Sequence, residues 1–248
     1  LNNPLLYVLV FVIAIVYSSA GFGGASGYLL GMSFFEIPAN VMSSTALVLN
    51  IFVSSIAFAN YFRAGHFRSG LLIPFLITSI PAAFIGGMFK LSEQTYTTLL
   101  YIVLTYLAIR MTFFPVLSEK ADWTARPIPL WASLFSGAVI GLLSGMIGIG
   151  GGIFLSPLII LLGWGTSKQA AASAGAFIAI NSISGLVGRF TNGTFSLGEF
   201  GIPLLVVGLI GALIGSQMGA VKFSGANVRR ALGVILIIAV GTYWFNFL

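Results

Sequence analysis

The chain has 248 residues, of which 58% are hydrophobic and 6% charged, against about 25% charged in an ordinary soluble domain. That balance cannot coat a water-soluble globule of this size, so the sequence reads as an all-α integral membrane protein. The net charge of +6 comes from basic residues scattered singly between apolar runs, which fits loops beside a lipid bilayer better than a nucleic-acid surface.

In chain order, the first uncharged run extends from Pro4 to Phe35. It lacks a basic leader and a small-residue cleavage site, so it reads as a membrane segment and not as a signal peptide. As one helix it would be about 48 Å long, well beyond the roughly 30 Å hydrocarbon core. The cluster Gly21-Phe22-Gly23-Gly24-Ala25 is where it breaks, leaving a longer arm, Pro4 to Ser19, and a shorter one, Ala25 to Phe35. Further segments are expected at 38–62, with Asn50 in mid-run, at 71–89 and at 95–114. Pro38 suits a first helical turn, and Ser92 and Ser224 fit caps of the fourth segment in each half.

Met111 to Pro129 collects Glu119, Lys120, Asp122 and Arg126 between three prolines, the composition of a linker. The expected organisation is a first membrane repeat at 1–114, a cytoplasmic linker at 115–127 and a second membrane repeat at 128–248. In the second repeat the segments are 128–163, 167–189, 200–221 and 227–247. Gly148-Ile149-Gly150-Gly151-Gly152 breaks the first of these into Pro129 to Ser144 and Gly152 to Leu162. Thr166-Ser167-Lys168-Gln169 has capping-box spacing. Trp123, Trp131, Trp164, Tyr243 and Trp244, near segment ends, are expected to anchor at the membrane interfaces.

Four landmarks recur in one order: the glycine clusters, Asn50 with Asn181, Phe67 to Gly70 with Phe195 to Gly198, and Lys90-Leu91-Ser92 with Lys222-Phe223-Ser224. This is the mark of a duplication. If all eight segments cross, six basic residues face five across the bilayer, which is no signal. If the first segment of each half folds back as a re-entrant hairpin, the halves become inverted. Nine basic residues then share one side, leaving Lys90 and Arg189 opposite. The expected fold is therefore eight helical segments in two inverted repeats of four, with a glycine-interrupted first segment in each. The linker is inside the cell and both termini are outside.

A helix that starts after a glycine cluster leaves its first N–H groups unpaired and carries a partial positive charge. Two such ends brought together by inverted repeats make an anion site near the midplane. The expected substrate contacts are Gly23, Gly24, Ala25, Ser26 and Asn50 from the first half, with Gly150, Gly151, Gly152, Ile153 and Asn181 from the second. Asn50 and Asn181 supply amide donors amid hydroxyls at Ser43, Ser44, Thr45, Ser54, Ser55, Ser173, Ser182 and Ser184. No lysine or arginine is expected at the centre. Gly137, Gly141 and Gly145, like Gly211, Gly215 and Gly219, have the four-residue spacing of close helix packing.

Neither cluster fits the dinucleotide fingerprint or a phosphate-binding loop. The single histidine, His66, lies between Arg63 and Arg68, and the five carboxylates fall at or near loops. These exclude a zinc-protease motif and a paired intramembrane acid and base, so neither an enzyme nor a bound cofactor or metal is expected. A secondary transporter of a small anion is the reading of these residues. An anion channel of the same architecture is the alternative. The coupling ion and any homo-oligomeric state are unassigned.

Ser144-Gly145-Met146-Ile147-Gly148-Ile149-Gly150-Gly151-Gly152-Ile153-Phe154-Leu155-Ser156-Pro157-Leu158, followed by Ala171 to Ile178 and Asn181-Ser182-Ile183-Ser184-Gly185, resembles the sulfite exporter TauE/SafE family of membrane proteins. Gly21 to Gly27 is a weaker first copy. Gly175 stands where the family pattern has a serine. The resemblance implies export of sulfite, sulfonates or related sulfur oxyanions across a plasma or bacterial inner membrane.

The inverted topology is checked with single cysteines in this cysteine-free chain. Ser118→Cys should resist an impermeant thiol reagent in intact cells and Asn246→Cys should react; the opposite pattern would reverse the orientation.

Overall fold

The computed structural model describes residues 4–19, 24–113 and 126–221, together with isolated helical positions between 233 and 245. Among the described residues the regular elements are all helical: α1 (Pro4–Ser19), α2 (Ala25–Ser33), α3 (Ala39–Arg63), a 3-10 turn (Ser69–Leu71), α4 (Ile73–Met88), α5 (Glu93–Phe113), α6 (Leu130–Ile147), α7 (Gly152–Leu161), α8 (Ser167–Thr191) and α9 (Gly198–Val221). Five of them, α3, α5, α6, α8 and α9, are long and apolar enough to cross a membrane. Most of the expected linker at 115–127 lies outside the described residues, as do Trp123, Ser224 and most of the segment expected at 227–247.

Both long apolar runs are broken at their glycines. Gly24, with φ 81°, precedes α2. Gly148 ends α6 with φ 93°, and Gly150 and Gly151 lead into α7 with φ 79° and 77°. This left-handed backbone costs an L-residue about 1–2 kcal/mol, so glycine is the residue that lets the helix stop and restart. The backbone N–H of Arg126, just before α6, donates to the carbonyl of Gly163, just past α7, at 3.0 Å. The chain thus leaves α7 at the end of the bundle where it entered α6. In the first pair, Gly31 of α2 lies against Leu9 and Ile13 of α1.

Local caps place the other starts. Thr166 Oγ1 accepts from Gln169 N at 3.3 Å and Gln169 Oε1 accepts from Thr166 N at 3.0 Å, the reciprocal box that the spacing predicts. Ser92 Oγ accepts from Thr95 N at 3.2 Å. Pro38 sits one residue earlier than expected, as the N-cap of α3. The N–H of Ala39 finds its acceptor in the Glu93 carboxylate at 3.0 and 3.2 Å, so that acid holds two helix starts together.

The main packing pairs cross between the two halves: α6 lies on α4, α1 on α9 and α3 on α8. Glycine makes the close crossings possible. Gly137, Gly141 and Gly145 of α6 face the backbone of Phe75, Ser79 and Ala83 on α4. Gly211 and Gly215 of α9 face Phe11 and Ile15 of α1, while Gly219 lies outside the described side chains. Without a hydrophobic drive between helices in lipid, such close van der Waals contact is what holds them. Outward positions such as Val8, Phe52, Ile77, Phe135 and Ile202 are exposed and apolar, a surface suited to acyl chains. Trp131 is exposed beside them, but Trp164 is buried against Phe75 with ring centroids 5.9 Å apart. Trp164 is a packing residue and not the interface anchor its position in sequence implied.

Gly141→Val would drive its side chain into Ser79 and should lower stability in detergent by about 1–3 kcal/mol or more. Gly70→Ala, where a Cβ would meet nothing within 4 Å, should stay within about 0.5 kcal/mol of the parent. Thermal unfolding of the purified variants checks both.

Candidate functional site

The second break is the better defined of the two. It lies near the midpoints of α3 and α8, because Asn50 and Ser182, both fully buried, stand beside Gly150. A Cβ added at Gly150 would lie 2.9 Å from Asn50 Nδ2 and 3.3 Å from Ser182 Oγ. One at Gly151 would meet Ile140 and Phe177, and one at Gly152 would meet Ile178 and the carbonyl of Ala174. Small residues are therefore required here for packing as well as for backbone conformation. Gly151 supplies no side-chain cap to α7, so the first N–H groups of α7, at Gly152 and Ile153, have no intrahelical partner.

The opposite face of the break is the end of α6, and its last carbonyls are answered one by one. Asn50 Nδ2 donates to Gly148 O at 3.1 Å, and Tyr96 Oη donates to Ile147 O at 2.9 Å. Arg189 Nη2 donates to Met146 O at 2.8 Å and to Gly145 O at 3.0 Å. Three helices, α3, α5 and α8, thus supply the partners that water supplies at a solvated helix end.

This arrangement corrects the sequence reading at Arg189. The sequence reading ended the segment 167–189 at Arg189 and counted its charge among the basic residues at the membrane faces, but α8 continues to Thr191 and Arg189 is 4% exposed. A cation does stand in the interior. Tyr96 was not singled out either: it stands in the polar first turns of α5, among Glu93, Gln94, Thr95, Thr97 and Thr98, a setting that resembles an interface aromatic. Ser55 is exposed, and Ser184 is taken up by a 2.6 Å bond to Ile80 O of α4.

Asn181 is fully buried and its Nδ2 donates to Phe177 O of its own helix at 2.9 Å. One amide hydrogen of each asparagine is therefore committed to a carbonyl. The carbonyl oxygens of Asn50 and Asn181 are buried with no hydrogen-bond partner, as are the hydroxyls of Ser182, Ser173, Ser144 and Thr45. Unanswered buried polar atoms are costly, and these are spread over α3, α6 and α8. Of the first-half residues, Gly24, Ala25 and Ser26 are buried at the start of α2, and Gly23 lies outside the described residues. The three atoms nearest an added Cβ at each of Gly150, Gly151 and Gly152 come from α3, α6 and α8. Tyr28 to Leu30 of α2 do share an apolar cluster with Ile147 and Ile149 on either side of Gly148.

Residues 6–243 match the sequence pattern described as "Sulfite exporter TauE/SafE". The chain belongs to the sulfite exporter TauE/SafE family. It is 34% identical over 235 residues to a probable membrane transporter protein of Sinorhizobium fredii, covering 94% of this chain and 95% of that one. A probable membrane transporter protein of Methanocaldococcus jannaschii is 26% identical over 94% of this chain and 92% of its own. One of Haemophilus influenzae is 26% identical over 82% and 81%. No solved structure matches the chain. The TauE/SafE assignment and the names of these relatives indicate a multi-pass membrane transporter and not an enzyme, and they do not favour a channel. Within this TauE/SafE chain the departure at Gly175 has a packing reason: a Cβ there would stand 3.2 Å from the backbone nitrogen of Phe58 on α3.

Asn50→Leu leaves Gly148 O buried without a donor. It should destabilise the protein by about 1–3 kcal/mol, read as a lower midpoint of thermal unfolding in detergent.

Proposed function

We propose that this transporter exports a small sulfur oxyanion, sulfite or an organosulfonate, from the cytoplasm as a secondary transporter. The observation that carries this reading is the start of α7 at the second glycine break, where unpaired backbone N–H groups meet buried, unanswered polar side chains. A helix start carries roughly half a positive charge, and its N–H groups match the oxygens of a sulfite or sulfonate head. Ser182 and Ser173 add hydroxyl donors. The oxygens of Asn50 and Asn181 are acceptors, so they take a water or the O–H of hydrogensulfite. This revises the role expected for the asparagines, which is part donor and part acceptor. The substrate contacts are Gly150, Gly151, Gly152, Ile153, Asn50 and Asn181, with Gly23, Gly24, Ala25 and Ser26 completing the site from the other half.

The two halves are read as inverted repeats. The packing pairs support this, because exchanging the halves turns α1 on α9 into α6 on α4 and leaves α3 on α8 unchanged. The bond from Arg126 to Gly163 supports a re-entrant hairpin for α6 and α7. With the linker inside and the termini outside, α6 and α7 enter from the cytoplasmic face. Alternating access then amounts to rocking one half against the other around the breaks.

Asn181→Leu is the sharper test, because Asn181 bonds only within its own helix and its loss disturbs no helix crossing. It should weaken sulfite or sulfonate binding by about 1–3 kcal/mol in protein of near-normal thermal stability, measured by isothermal titration or by flux in proteoliposomes. Unchanged affinity would remove Asn181 from the site. Gly151→Val is a poorer probe, since its side chain would strike Ile140 and Phe177 whether or not an anion binds there.

A further inference from the structure

Arg189 lies at the break without being part of the site proposed above. It is 4% exposed, its recorded partners are the carbonyls of Gly145 and Met146, and its Nε has no hydrogen-bond partner. A buried cation is costly unless something of opposite sign compensates it. Here the compensating group is the end of α6, whose aligned peptides carry roughly half a negative charge.

The same break therefore holds two helix ends of opposite sign. The end of α6 repels an anion and the start of α7 attracts one, and left alone they cancel to about zero. The guanidinium adds a full positive charge on the repelling side, so the break as a whole becomes positive by about one charge. Asn50 and Tyr96 donate to the other two carbonyls but bring only dipoles. The matching helix of the first half has no such residue: α3 is uncharged until its last position, Arg63, which is exposed. The unpartnered oxygen of Asn50 and hydroxyl of Ser182 beside Gly150 independently mark this break as a place for a guest.

We propose that Arg189 is a positioning residue for anion selectivity: by neutralising the carbonyl end of α6, it lets the N–H end of α7 set the sign of the second break. This rests on the reading of the break as the substrate site.

Three variants test it, with thermal unfolding to certify the fold. Arg189→Gln should raise the KM for sulfite in proteoliposomes by about tenfold or more, and the loss should be larger for divalent sulfoacetate than for monovalent methanesulfonate. Arg189→Lys, which keeps the charge, should recover most of the affinity. Arg189→His gives a second route if the glutamine variant does not fold. Its affinity for methanesulfonate, charged at every pH used, should fall relative to the parent as the imidazole loses its proton. Folded Arg189→Gln with the parent's KM for all three anions would overturn the proposal, as would a histidine variant whose pH profile parallels the parent's. If Asn181→Leu still weakens binding in that case, the site stands and only the role of Arg189 falls. If neither substitution changes affinity, the site itself is wrong.

Discussion

A helix interrupted inside a membrane exposes peptide groups that no water can satisfy, and the rest of this bundle is arranged around that constraint at the end of α6. Four carbonyls, from Gly145 to Gly148, each take a donor from another helix. The donors come from α3, α5 and α8, so the break ties together helices of both halves. Removing any one donor leaves a buried acceptor unpaired, a loss larger than the net contribution of a typical hydrogen bond. The interruption is thus a joint of the structure as well as a break in it.

Close packing makes that joint possible. Gly145 lies against Ala83, and Gly185 of α8 comes within 3.2 Å of Gly145 as measured from an added Cβ, so α4, α6 and α8 meet almost backbone to backbone. That approach lets the Arg189 side chain on α8 reach past the last turn of α6. A larger residue in the glycine rows would push α6 outward and take the carbonyls out of reach. Packing and polar satisfaction are the same requirement here, which is why glycines and buried polar groups cluster together.

Much of this was legible in the sequence. The apolar runs, both glycine interruptions and the starts at Thr166 and Ser92 follow from local chemistry: hydropathy, backbone freedom at glycine and side-chain caps. Asn50 and Asn181 were recognisable as buried because an amide in mid-run has few other places to go. What the sequence could not show was partnership. Nothing local says that Asn50 serves Gly148, ninety-eight residues away, or that Tyr96 turns inward. Arg189 was counted at a membrane face because an arginine that closes an apolar run looks like a segment end reaching water, and only the packing of α8 against α6 reveals that it points in. Trp164 failed for the same reason: its environment is set by Phe75 from another helix.

The account rests on an anion lying at the start of α7, and the most direct measurement is a structure of the protein with selenite, a heavier analogue of sulfite that scatters anomalously. The account predicts one strong anomalous peak within hydrogen-bonding reach of the backbone nitrogens between Gly150 and Ile153, on the side facing Asn181 and Ser182. A peak lying instead beside Arg63 and Arg68, with none at the break, would contradict it.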